Sequence, residues 1–150
     1  MIHELFHNTK AIQCRETDGS GLAFSATVTG VMVDCAGFHS LTFLIDVGDN
    51  DGNAFDGTNK ITFTVEEGTA ADGSGAAEIA AGDYLGAKDS TGTSWDRILD
   101  EAAADNQTYQ IGVRLNTTRY KRVVATEGGT VTTVPLTIIA VLGHPRFAPV

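Results

Sequence analysis

Four aspartates lie within or beside one polar loop, and they are the best candidates for metal ligands in the chain. They are Asp46, Asp49, Asp51 and Asp56. Calcium takes several carboxylate and carbonyl oxygens from flexible loops, which is what this stretch offers. The spacing of an EF-hand loop is not met, because Gly52 comes too early and no glutamate closes the loop. We therefore predict that the Asp46–Asp56 loop is a solvated turn and that folding needs no metal; calcium binding is the alternative.

The nucleophilic and basic side chains show no arrangement typical of a catalytic site. The histidines His3, His7, His39 and His144 lack the spacing of a zinc protease. No Gly-x-Ser-x-Gly motif positions a serine nucleophile. The glycine-rich stretch 73–75 has no following lysine, so it is not a phosphate-binding loop. The sequence therefore predicts a protein that is not an enzyme and that uses no cofactor.

Two cysteines, Cys14 and Cys35, are too few for a zinc site, and no Cys-x-x-Cys motif is present. We predict that both thiols are reduced and buried as small apolar groups. A disulfide would require the two segments around them to pair, which the sequence does not show.

Aromatic side chains offer a different chemistry, because Trp95 and the three tyrosines are suited to stacking against sugar rings. Core anchoring or interface packing is the commoner role of such residues. A carbohydrate-binding or adhesion module is therefore the alternative function. It predicts that Trp95 and Tyr84 are exposed together on one flat face.

The composition excludes several classes of partner. The chain has 150 residues, 42% of them apolar, and a net charge of -9. Ten basic residues against nineteen acidic ones argue against nucleic-acid binding, which depends on neutralising phosphates. No apolar run approaches the roughly 20 residues that cross a bilayer, so no membrane partner is expected. The length fits a single domain, residues 1–150, that buries its own core.

Alternating apolar and polar residues predict a chain built from strands. The clearest strand is Phe38–Val47, and similar patterns cover Lys60–Val65 and Tyr109–Leu115. Weaker patterns predict strands at Ala11–Cys14 and Phe24–Val33, with Val31 and Val33 on one face. Seven or eight strands with glycine-rich turns indicate an all-β fold, an antiparallel β-sandwich that is jelly-roll-like.

The stretch from Arg119 to Leu142 has the pattern of a β-hairpin, with two alternating runs around Gly128 and Gly129. A three-residue loop, 128–130, would place Val124 opposite Val134 and Tyr120 opposite Ile138 on one buried face. We therefore predict that these two runs pair with each other.

Helical candidates are few. Residues 76–81 fit at most one helical turn between glycines. Residues 95–104 fit a helix with Ser94 as N-cap, or equally a strand followed by a loop. The ends are predicted to be extended, as an N-terminal arm over 1–10 and a C-terminal tail over 143–150, where two prolines oppose helix formation.

Short motifs across nearly the whole chain carry a resemblance to a known family. They are Glu4–Phe6; Gly37, Phe38, Ser40, Thr42 and Phe43; Phe63–Glu66; Leu85 and Gly86; Arg119, Tyr120 and Arg122; Pro135–Ala140; and Gly143–Arg146 with Ala148 and Pro149. With these motifs the chain resembles head decoration, or cement, proteins of tailed bacteriophages. Residues 87–106 look like an insertion relative to that pattern.

The resemblance implies a non-enzymatic virion protein that binds the outer surface of a shell made by the major capsid protein. It also implies a homo-oligomer, a dimer or trimer, located on the capsid exterior after assembly in the host cytoplasm. Apolar side chains in both extended ends would be exposed unless a partner covers them. The predicted contact residues are Leu5, Phe6, His144, Pro145, Arg146, Phe147 and Pro149.

Overall fold

Two antiparallel β-sheets pack face to face in the computed structural model, which describes residues 9–14, 27–49, 55–89, 91–115, 118–131 and 134–146. The strands are β1 (Thr9–Gln13), β2 (Val28–Thr29), β3 (Val33–Asp34), β4 (Phe38–Val47), β5 (Lys60–Gly68), β6 (Ala77–Glu78), β7 (Tyr84–Lys88), β8 (Ile98–Leu99), β9 (Gln107–Arg114), β10 (Tyr120–Gly128) and β11 (Leu136–Pro145). The first sheet has the order β1-β11-β4-β9-β7. The second has the order β2-β10-β5-β6, with β3 also beside β10 and β8 also beside β5. The predicted all-β sandwich is confirmed.

The core lies between the sheets and is built by the strands with the clearest alternation. In β4, every second residue from Leu41 to Val47 is buried, as predicted. Ile61, Phe63 and Val65 of β5 fill the same core from the opposite sheet. Each such side chain contributes roughly 1.5–3 kcal/mol on burial, so the period-two pattern itself selects the inward face.

The predicted hairpin between the last two long strands is wrong, because β10 and β11 belong to different sheets. Val124 of β10 lies opposite Thr64, and Ile138 of β11 lies opposite Ile45. The inward face of β10 is formed by Val123 and its odd-numbered neighbours, not by the face predicted from Tyr120 and Val124. Alternation requires a buried face but does not choose a hydrogen-bonding partner, so two strands that face each other across a core give the same pattern.

The connection between these strands explains how the chain changes sheet. Gly129 has a positive φ of 75°, and a Cβ there would lie 2.5 Å from the carbonyl oxygen of Thr58. Val131 and Val134 are then fully buried, so they anchor the connection in the core. The backbone N–H of Gly48 donates to the carbonyl of Pro135, which ties the start of β11 to the end of β4. Consecutive long strands therefore alternate between sheets.

Neither of the two helical predictions is observed. Residues 76–81 contain β6, followed by a 3-10 turn at Ala81–Asp83. Residues 95–104 contain β8, which pairs with β5, and a 3-10 turn at Ala102–Ala104. The alternative of a strand plus loop is thus the correct one for this segment. Ser94 forms a bridge with Lys88 instead of capping a helix, and burial of Leu99 outweighs local helix propensity.

The N-terminal half shows two smaller departures from prediction. The strand predicted at Ala11–Cys14 is observed but begins at Thr9, so the last two residues of the predicted arm are strand; residues 1–8 lie outside the described residues. The strand predicted over 24–33 is observed as β2 and β3, while residues 24–26 are not among those described. Val31 is 40% exposed and Val33 is buried, so they do not share an inward face.

Both cysteines are buried in the core and unbridged, so the predicted burial is confirmed. Burial raises the pKa of the Cys14 thiol to about 11 and that of Cys35 to about 12. Since the thiolate is the reactive form, both groups are poor nucleophiles in the folded protein.

Candidate functional site

The two ends of the described chain come together at one corner of the first sheet, which we call the terminal corner (Thr9 with Gly143–Arg146). Strands β1 and β11 pair antiparallel, with Thr9 opposite Gly143 and Gln13 opposite Ile139. The N-terminal end of β1 and the C-terminal end of β11 therefore lie side by side. Residues 1–8 and 147–150 are attached to neighbouring points.

Three of the predicted contact residues lie at this corner. His144 and Arg146 are exposed and Pro145 is partly buried. The imidazole Nδ1 of His144 is 3.0 Å from the hydroxyl of Ser40, and the backbone N–H of Arg146 donates to the carbonyl of Gly37 at 2.7 Å. The predicted tail therefore starts as the end of β11. The other predicted contacts, Leu5, Phe6, Phe147 and Pro149, lie outside the described residues.

Three basic side chains on or beside β10 are engaged with carboxylates. Arg119 binds Asp34 at 2.6 Å, and Arg122 binds Glu66 at 2.7 Å. Lys121, which is fully buried, pairs with Glu67. These pairs connect β10 to its neighbours in the second sheet. They provide cross-strand charge pairing, not a basic surface for phosphates.

A cleft of about 530 Å³ lies beside the first sheet, between the 89–104 segment and the start of β9. Its aromatic wall is Trp95 and Tyr109, whose ring centres are 4.4 Å apart. Trp95 also packs edge-on against Phe63 at 5.7 Å. The Tyr109 hydroxyl donates to the carbonyl of Ala104 at 2.9 Å, which fixes the ring in the wall.

Four carboxylates line this cleft: Asp89, Asp96, Asp100 and Glu101. Two of them stabilise the local backbone. Asp89 accepts the N–H groups of residues 91 and 93, and Asp96 accepts that of Ile98. Asp100 and Glu101 are exposed, and within the described part of the chain their carboxylates form no hydrogen bond or ion pair.

The electrostatics of the cleft follow from these carboxylates and from burial. Burial raises the pKa of Tyr109 to about 12, and the negative charges of Asp89, Asp105 and Glu101 add to the rise. Tyr109 therefore stays neutral at physiological pH. The indole nitrogen of Trp95 is buried and has no hydrogen-bond partner among the described residues. Sequence reasoning missed this cleft because 95–104 was left as either a helix or a strand plus loop; the density of acidic residues around the single tryptophan was the available signal.

Two of the described aspartates of the polar loop, Asp46 and Asp56, have local structural roles. Asp46 accepts from the hydroxyl of Thr108, and Asp56 accepts the N–H groups of Thr58 and Asn59. Asp51 lies in the segment 50–54, outside the described residues. Across the described ranges, no group of three or more His, Cys, Asp or Glu side chains is placed to hold a metal ion.

Trp95 and Tyr84 do not form the flat exposed face on which the carbohydrate alternative depends. Trp95 is packed between rings, as described above. The guanidinium of Arg97 covers the Tyr84 ring at 4.0 Å, and the Tyr84 hydroxyl both donates to Glu78 and accepts from the N–H of Val65. In the part of the chain that is described, no helix is long and apolar enough to cross a membrane.

Comparisons with known proteins give a likeness at the level of solved structures. No protein-family model matches the chain, and no curated protein matches it. Among solved structures, the chain is similar to the SPBc2 prophage-derived protein YomS, with a TM-score of 0.47 and 12% identity. That similarity covers 90% of this chain and 92% of the other.

Proposed function

We propose that the protein is a non-enzymatic virion component, a decoration or cement protein that binds the outer surface of a bacteriophage capsid. The family resemblance in the sequence supports this proposal. The β-sandwich and its paired basic residues are compatible with a protein-binding role. The partner is the major capsid protein, and the active form is a homo-oligomer, a dimer or trimer, on the capsid exterior.

The observation that carries the proposal is the pairing of β1 with β11 at the terminal corner. Because β1 and β11 end side by side, the terminal segments that we propose as contacts both start from one corner of the molecule. Each apolar side chain covered there contributes roughly 1.5–3 kcal/mol at most. When many copies bind one capsid lattice and are linked to one another in an oligomer, these small binding free energies together give stable attachment.

Co-sedimentation with cognate capsids that lack the protein tests the proposal. Three forms are compared: the intact chain, a form without residues 1–8, and a form without 147–150. The second cut spares Pro145, which pairs with Phe38, so β11 remains whole. Leu85→Ser is the matched control, because Leu85 is 58% exposed on β7, away from the terminal corner.

We expect the intact chain and the Leu85→Ser variant to sediment with capsids and each truncation to bind at least tenfold more weakly. If the intact chain does not bind capsids, the cement function is wrong. If both truncations bind like the intact chain, capsid binding stands but the terminal segments do not provide it. Sedimentation equilibrium of the free protein measures the oligomer, and a monomer at all concentrations would contradict that part.

A further inference from the structure

The cleft and the terminal corner lie at opposite ends of the first sheet. In β4, Ser40 is opposite Arg114 of β9 and Gly143 of β11, which places this end at the terminal corner. At the other end of the same strand, Val47 is opposite Gln107, which lines the cleft. A partner held at one end therefore leaves the other end accessible.

The lining of the cleft combines apolar side chains with negatively charged ones. Apolar surface is formed by Trp95, Tyr109 and Ile98. The described lining residues include four carboxylates and no lysine, arginine or histidine. Within the described part of the chain, the carboxylates of Asp100 and Glu101 form no ion pair with a basic side chain. A cationic side chain with an aliphatic stem matches both features, because the stem packs on the apolar wall while the charged head meets the carboxylates.

We propose that this cleft receives an arginine- or lysine-bearing peptide segment of a partner protein. An aromatic wall adds cation–π attraction for the bound guanidinium or ammonium. The proposal does not rest on the capsid function, since it concerns the opposite end of the molecule.

Two other ligand classes fit the geometry less well. A divalent cation needs several oxygens converging on one point, and the described residues contain no such group of three. A sugar needs a flat exposed aromatic face, whereas Trp95 packs edge-on against Phe63 and at a tilt against Tyr109. Four carboxylates among the lining residues instead suit a positively charged segment.

Trp95 is the single tryptophan of the chain, so its fluorescence reports on the cleft without labelling. The probe is the capped peptide Gly-Arg-Gly-Arg-Gly, titrated into the intact protein at low salt. A matched peptide with citrulline in place of arginine keeps the shape and removes the charge. Glu101→Gln removes one rim carboxylate, and Asp49→Asn is the charge-matched control on an exposed residue outside the cleft.

We expect a saturable change in emission with the arginine peptide and none with the citrulline peptide. Glu101→Gln weakens binding about threefold, as expected for one exposed charge pair, and Asp49→Asn leaves it unchanged. Equal binding of both peptides, no binding of either, or equal losses in the two variants would overturn the proposal. A response to calcium or to N-acetylglucosamine but not to the arginine peptide would assign the cleft to another ligand and likewise refute it.

Discussion

Replacing Glu67 by glutamine tests whether the buried cation of the second sheet depends on its partner. The Lys121 side chain is fully buried, and its ammonium donates to Glu67 and to the hydroxyl of Thr118. Glu67→Gln keeps the shape of the side chain and removes its charge. The ammonium then remains buried and loses its ion pair with Glu67, and breaking a buried pair from one side is costly.

The size of the effect follows from comparing two neighbouring pairs. Breaking a buried pair from one side costs about 3–5 kcal/mol, and we expect about 3 kcal/mol here because the Glu67 side chain is 22% exposed and Thr118 still accepts. Glu66→Gln is the matched control in the same strand. Its partner Arg122 is 19% exposed, so water solvates the guanidinium and the loss is about 1 kcal/mol or less.

Urea denaturation measures the free energy of unfolding of the Glu67→Gln and Glu66→Gln variants. A double-mutant cycle then separates the effect of the lost charge from that of the changed side chain. Lys121→Met removes the ammonium and retains an apolar chain, so we expect Glu67→Gln to cost much less in that background. Equal losses for Glu66→Gln and Glu67→Gln, or additive losses in the cycle, would refute this reasoning.

The same pair predicts a pH dependence. Burial opposes the charged form of Glu67, but hydrogen bonds from Lys121 and Thr118 outweigh it and hold the pKa below its ordinary value of 4.5. The stabilisation is therefore complete above that value and is lost as the pH falls through the folded-state pKa. Between about pH 5 and 3, the native protein should lose more stability than the Glu67→Gln variant.

Three further predictions concern other parts of the chain. Gly129→Ala should lower the free energy of unfolding by about 2 kcal/mol in urea melts, because φ is positive and the new Cβ would meet the Thr58 carbonyl. Ellman titration should find Cys14 and Cys35 unreactive in the native state and two thiols after denaturation; labelling of the native protein would contradict their burial. Melting temperatures in calcium and in chelator should agree; a marked rise with calcium would contradict the prediction that folding needs no metal.

The sequence predicts the parts of this fold in which one strand face is buried and the other is not. The bounds of β4 agree with prediction, and Ile61, Phe63 and Val65 point inward as expected. Strand pairing was not predictable in the same way, because β10 and β11 have the alternation of a hairpin while belonging to opposite sheets. Hydrophobic periodicity reports burial, and the choice of neighbour depends on contacts far away in sequence.

The sequence likewise predicts only part of the candidate site. The sequence places His144, Pro145 and Arg146 at the C-terminal end, and the structure shows that β1 brings the N-terminal end beside them. That proximity arises from pairing across the chain, so no local pattern signals it. The cleft was missed for a related reason: Asp96 and Asp89 hold turns that give the 89–104 segment its shape, and such side-chain caps compete with helix formation.

The alternation of consecutive long strands between sheets also determines the order in which the molecule can form. Strand β11 lies between β1 and β4, so β1 cannot join the rest of the first sheet until residues 136–145 have been synthesised. Pairings such as Thr9 with Gly143 close very long loops, a topology of high contact order that folds in milliseconds to seconds. In a nascent chain, β1 and the facing edge of β4 therefore stay unpaired until β11 has been synthesised, so this sandwich cannot complete its folding before that point.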